Sequence, residues 1–182
     1  RSSPDRSLAP DEATSGKMEE AQGAEGAAVE AHGNLPPSKQ QKTMAKAATA
    51  DARPKMSGSA HLAAEGEEAK IAAIEAHAKE IGHPLSPHVH DTAGKPGTYN
   101  AVHAEKQAIV EHPNTPVAVT REMCLDCVGF FKREAMFPQR NQVVTDPVAP
   151  RVFEPSGAVT EYHRHGTNVR FEADGSVKVR PR

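Results

Sequence analysis

His103-Ala104-Glu105-Lys106-Gln107-Ala108-Ile109, then Val117-Ala118-Val119-Thr120, then Cys124-Leu125-Asp126-Cys127: the order of these three stretches decides how the chain folds. The first reads as a helix over 101–111, with Asn100 as its candidate N-cap. His112-Pro113-Asn114-Thr115-Pro116 stops it. The second stretch is a short β-type run. The third opens a helix over 124–136, with Val128, Phe131 and Ala135 on one face. A helix over 101–111 rises roughly 15 Å at about 1.5 Å per residue. A strand over 117–121 returns roughly 16 Å at about 3.3 Å per residue. With the strand antiparallel to the helix, the chain comes back to its starting end, and His103 meets Cys124 and Cys127 there.

Upstream, Ile71, Ile74, Ala78 and Ile81 recur at three- and four-residue steps, which predicts a helix over 60–81 with one apolar stripe. His61 and His77 read as surface positions on it. Gly82 and then Pro84 end it. Residues 83–98, with three prolines and the histidines His83, His88 and His90, read as loop. Downstream, strands are predicted at 141–145, 150–154, 158–162, 167–172 and 176–180, the last two joined by a hairpin at Asp174-Gly175. Helices interleaved with strands point to an α/β or α+β domain with helices packed on a sheet.

The first 58 residues hold only Leu8, Val29 and Leu35 as large aliphatics, and no aromatic residue precedes Tyr99. By that measure residues 1–58 lack the apolar area that offsets chain ordering, and they read as a disordered linker ahead of a catalytic domain over 59–182. A net charge of -2 excludes a globally basic nucleic-acid binder. No run is long and apolar enough for a membrane span, so no membrane partner is expected. No signal peptide is visible, and a chain that opens on Arg1 reads as a piece of a larger protein.

The residue types suit zinc. Neutral imidazole and thiolates are good ligands for it. At the start of a helix Cys124 and Cys127 lie on one face, and the helix dipole favours their thiolates. His103, Cys124 and Cys127 are therefore the expected Zn2+ ligands. Three protein ligands leave a fourth position open, and an open zinc site brings the pKa of water to about 7. Glu105, two residues from a ligand, is the expected general acid–base group.

His-x-Glu followed by Cys-x-x-Cys, each opening a helix with a strand between, resembles the zinc-dependent cytidine deaminase-like superfamily. The run His103-Ala104-Glu105-Lys106-Gln107-Ala108-Ile109 looks most like the nucleic-acid deaminase domains of bacterial polymorphic toxins. The usual proline before the first cysteine is Met123 here. The resemblance implies an α/β, three-layer α-β-α domain with a mixed sheet. It implies the ligand set above, Glu105 as proton shuttle, and Asn100 and Ala104 at the substrate. The reaction it implies is attack of water on C4 of cytosine, or C6 of adenine, in DNA or RNA, with loss of ammonia. A toxin module further implies a monomer, secreted or delivered into a target cell, that meets a cognate immunity protein.

Other readings stay open at this point. Cys124 and Cys127 suit a thioredoxin-like redox pair as well. A fourth ligand from His83, His88, His90 or His112 would make a closed structural zinc site, and hence a binding module. A free nucleoside or nucleotide deaminase would carry the same motifs. Asn100 reads equally as an N-cap alone. Phe130-Phe131-Lys132-Arg133 reads as helix core with a charged outer face.

Overall fold

The computed structural model describes residues 8–58 and 67–181. Its elements run α1 (Glu12–Gly33), a 3-10 turn (Pro37–Lys39), β1 (Met44–Ala47), β2 (Lys55–Met56), α2 (Glu67–Glu80), α3 (Thr98–Ala101) and α4 (Ala104–Glu111). Then come β3 (Val117–Val119), α5 (Leu125–Met136), β4 (Gln142–Thr145), β5 (Pro150–Phe153), β6 (Val159–Tyr162), β7 (Thr167–Phe171) and β8 (Val177–Pro181). The strands form one sheet in the order β2-β1-β3-β4-β5-β6-β7-β8. β3 and β4 are parallel, with Val117 opposite Val144, and the other neighbours are antiparallel. A parallel pair needs a crossover, and α5 supplies it.

The sheet is mixed and sits between two helical layers. Strand side chains alternate faces. Val144 and Phe153 enter the core with Ile109, Phe130, Phe131 and Ala78. Their neighbours Val143 and Val152 point the other way and pack with Tyr162, Met18 and Ala21 of α1. So α1 covers one face, and α2, α4 and α5 cover the other. This is the expected three-layer α/β arrangement. The five predicted C-terminal strands are β4 to β8, and Gly175 turns the last hairpin at φ 89°. Phe130 and Phe131 are fully buried, as the core reading of α5 requires.

Three expectations need correction. Residues 1–58 are not a linker as far as they are described: α1 packs on the sheet, and β1 and β2 are two of its eight strands. Bulky side chains were the wrong measure. Ala21, Ala24 and Ala28 form a stripe at helical spacing and are buried, and alanine lets a helix lie close to a sheet. Asp11 caps this helix by accepting from the Thr14 N–H at 2.7 Å. The helix predicted over 101–111 begins instead at Ala104, with His103 rather than Asn100 at its N-cap position. His77 is not a surface residue: its Nε2 lies 2.5 Å from Oε2 of the buried Glu134 on α5. Ile74, Ala78 and Ile81 of the predicted stripe are buried. The predicted start of their helix, with His61, lies outside the described residues.

Candidate metal centre and cleft

His103 sits in extended backbone (φ -65°, ψ 136°) between α3 and α4. That break turns its ring toward α5. Its Nδ1 lies 3.2 Å from Cys127 Sγ and 3.5 Å from Cys124 Sγ. All three ligand atoms lie within 4.8 Å of one another, a group that can hold a metal ion. Tetrahedral zinc with ordinary bond lengths separates such a nitrogen and sulfur by about 3.6 Å, so the donor set fits that ion in chemistry and spacing. Cys124 is the N-cap of α5, and its Sγ accepts from the Cys127 N–H at 3.4 Å. The Cys127 thiol, with His103 adding to it against the effect of burial, pulls the Cys124 thiol down to about 4. Burial pushes the Cys127 thiol up.

The histidines proposed as a fourth ligand have other partners. His83 Nε2 lies 3.2 Å from Asp126 Oδ1. His88 and His90 pack on Tyr99. His112 is at the far end of α4. Among the described residues the cluster comprises His103, Cys124 and Cys127. They stand where the chain leaves the carboxyl end of β3, the edge at which open α/β sheets bind ligands.

Glu105 is buried, only 4% exposed, and lines a cleft of about 1010 Å³ together with His103, Ala104, Cys124, Tyr99 and His90. Ala104, expected at the substrate, thus stands in the cleft wall. Asn100, also expected at the substrate, is buried and does not line the cleft: its amide donates to the Ser86 carbonyl at 2.8 Å.

Sequence reasoning passed over Lys106 and Asp126. Lys106 is fully buried. Its Nζ donates to Asp126 Oδ2 at 2.5 Å and to the Asn100 carbonyl at 2.8 Å, and lies 5.7 Å from the Phe130 ring centroid. Burial works against its charge, but Cys127, Asp126 and Glu105 outweigh that and raise its pKa. Burial likewise opposes ionisation of Asp126, and His83 and Lys106 outweigh it, holding the carboxyl well below its usual range. A buried ion pair therefore joins the helix after His103 to the helix carrying Cys127. Nothing in the sequence marked the pair: Lys106 stands between Glu105 and Gln107, as a surface residue would. Gln107 completes the fastening by donating to the carbonyls of Met56, at 3.0 Å, and Val102, at 2.9 Å.

Met123 also has a local role. Its N–H donates to Oδ2 of the fully buried Asp146 at 2.9 Å. Asp146 Oδ1 accepts from Val148 at 2.8 Å and Ala149 at 3.1 Å, and Arg151 pairs with the same carboxylate. Proline has no N–H to give, so this fold uses at position 123 a donor that proline lacks.

Residues 55–109 match the family model of the single-strand DNA deaminase toxin A C-terminal domain. The chain resembles a nucleic-acid deaminase toxin. The matched segment, less than a third of the chain, runs from β2 through α2 and α3 and takes in His103, Glu105 and most of α4. The two cysteines lie beyond it. No curated protein matches the chain. Among the described residues no helix is long and apolar enough to cross a membrane.

Proposed function

We propose that this deaminase-toxin-like chain is a zinc-dependent hydrolytic deaminase that converts cytosine to uracil in single-stranded DNA. It would act as the toxin domain of a larger secreted protein that is delivered into a target cell and neutralised by a cognate immunity protein. The observation that carries the reading is the meeting of His103, Cys124 and Cys127 at the wall of a cleft that His103, Cys124 and the buried Glu105 line. The family match over residues 55–109 supports a nucleic-acid substrate.

Zinc on these three side chains would supply the acidity that makes water a nucleophile near neutral pH. Glu105 then takes a proton from the attacking water as the C4–O bond forms. It gives that proton to ring N3, then carries the second water proton from the new C4 hydroxyl to the exocyclic amine, and the C4–N bond breaks with release of ammonia as the C4 carbonyl forms. Its burial keeps bulk water from competing for the proton. Ala104 has no side chain beyond Cβ and leaves the base room to approach. In this reading Asn100, whose amide is held on the Ser86 carbonyl, would contact the sugar or base. The size of the cleft favours a strand over a free nucleoside: about 1010 Å³ stands at the upper end of sites for drug-sized ligands.

Glu105→Ala should retain bound zinc and lose ammonia release by about 10²- to 10⁴-fold on a single-stranded cytosine oligonucleotide. Undiminished turnover in that variant would sink the mechanism. A panel of single-stranded DNA, double-stranded DNA, RNA and free nucleosides, read by ammonia release and sequencing, tests the substrate.

A further inference from the structure

Beside the metal centre stands a cluster of rings that the chemistry above does not use. The His88 ring is stacked on Tyr99, with centroids 3.8 Å apart and planes 14° from parallel. His90 lies 5.6 Å from Tyr99 and 5.1 Å from His88. Tyr99 in turn meets the His103 ring edge-to-face at 5.2 Å. Tyr99 and His90 face the cleft. His88 and His90 are exposed, which is an unusual place to assemble three rings unless something is to lie against them.

The loop that carries the rings is fixed by one carboxylate. Asp91 accepts from the backbone N–H of His88 at 2.7 Å, Gly97 at 2.9 Å and Tyr99 at 2.8 Å. Thr98 Oγ1 adds a bond to the Thr92 N–H at 2.8 Å. Gly97 adopts φ 88°, and a Cβ there would come within 3.1 Å of Leu85 Cβ, so the turn needs glycine. The rings are thus placed before any ligand arrives, which lowers the ordering cost of binding.

The charge of the cleft shows why such a surface matters. Lys42, Lys95 and Arg121 line it, but so do Glu68, Glu75 and Glu122, apart from Glu105. Among the described residues the three cations are balanced by three anions, which leaves little net attraction for a phosphate backbone. Ring stacking is the attraction that remains, and it does not depend on base identity.

We propose that Tyr99 and His90, backed by His88 and held by Asp91, form a stacking subsite for the base next to the target cytosine. This deepens the deaminase reading and rests on it for the position of the target base. The neighbouring base lies on Tyr99 while the target enters past His103 toward Glu105, and few phosphates are contacted.

The test uses the zinc-loaded chain and a fluorescent single-stranded oligonucleotide with one cytosine, plus twins in which the nucleotide on the 5′ or the 3′ side is abasic. Binding is read by anisotropy and deamination by uracil excision. Loss of one neighbouring base should weaken binding by roughly 5- to 100-fold. Tyr99→Leu should cause a similar loss with the intact strand and remove the abasic penalty, and Tyr99→Phe should restore both. The slope of log affinity against log salt should be no steeper than about -2, as expected for at most three phosphate contacts. Asp91→Ala, which removes bonds to the backbone N–H groups of His88, Gly97 and Tyr99 and leaves every ring in the chain, should give a smaller loss of the same kind and serves if Tyr99→Leu misfolds. A wild-type protein indifferent to abasic neighbours, or an abasic penalty of full size in Tyr99→Leu, overturns the proposal. A strand bound with the penalty but not deaminated leaves the subsite standing and removes the deaminase reading. A strand deaminated without the penalty does the reverse.

Discussion

Residues 12–56 and residues 103–136 both pack against the same sheet, but different forces hold them. The first region lies on it through small side chains: the buried alanines of α1, with Ala21 against Val143, Val152 and Tyr162, and β1 paired with β3. The second packs larger apolar side chains into the core, Ile109, Phe130 and Phe131 among them, and adds charge and polar contacts: Lys106 on Asp126, Asp126 on His83, and Gln107 on the backbone of β2. Close packing is stable, non-directional and indifferent to chemistry. Buried charge pairs are directional, and they fix the angle between two helices to which metal ligands are attached.

The largest expected effect tests the first half of that comparison. Deleting residues 1–58 removes α1, β1 and β2 together. Val143, Val152 and Tyr162 would face water, and β3 would become an unpaired edge. The truncated chain should show no cooperative thermal transition by circular dichroism. A melting curve matching that of the whole chain would restore the linker reading and end the comparison.

The next effect tests the second half. Lys106→Met leaves Asp126 with His83 as its remaining ionic partner, and breaking a buried pair costs about 3–5 kcal/mol. Urea unfolding should show that loss, and competition with a chromophoric chelator should show weaker zinc binding. In a double-mutant cycle Asp126→Asn should cost much less on the Lys106→Met background than alone. If the two losses simply add, the ion pair is not the strut between the helices.

These two regions were unequally legible in the sequence. The motif half was readable because ligand chemistry restricts residue type: a histidine and two thiols at helix starts suit metal binding, and chain-length arithmetic brought the three together, which a redox pair of cysteines alone would not need. The strands from Gln142 onward were readable from β-type runs punctuated by turns. The alanine stripe of α1 was not readable, because Ala21, Ala24 and Ala28 score as apolar but not as core, and only the nearness of the sheet makes them so. Lys106 and Asp126 were missed for the opposite reason. Charged residues are expected at the surface, and their burial appears only once the two helix starts face each other. The ring cluster at Tyr99 was read as polar loop because His88 and His90 come together with it through Asp91, a contact with no sequence period.

The smallest effect separates the two kinds of cohesion by pH. The hydrogen bond that His77 donates to the Glu134 carboxylate, opposed by burial, raises the pKa of His77 above its ordinary 6.5. The group binds its proton more tightly when folded. The stability it contributes is therefore complete below about pH 6.5 and is lost as pH rises through the raised folded value. The buried stripe of α1 offers no titrating side chain to match this, since it is alanine. Urea midpoints taken between about pH 6 and about pH 9 should fall with pH in the wild-type chain, with a shallower slope in Glu134→Gln. Hydrogen exchange over the same range should place the loss in α2 and α5, with α1 protected throughout. A loss of protection in α1 at the same pH would show that the alanine-packed half and the ion-paired half open as one unit.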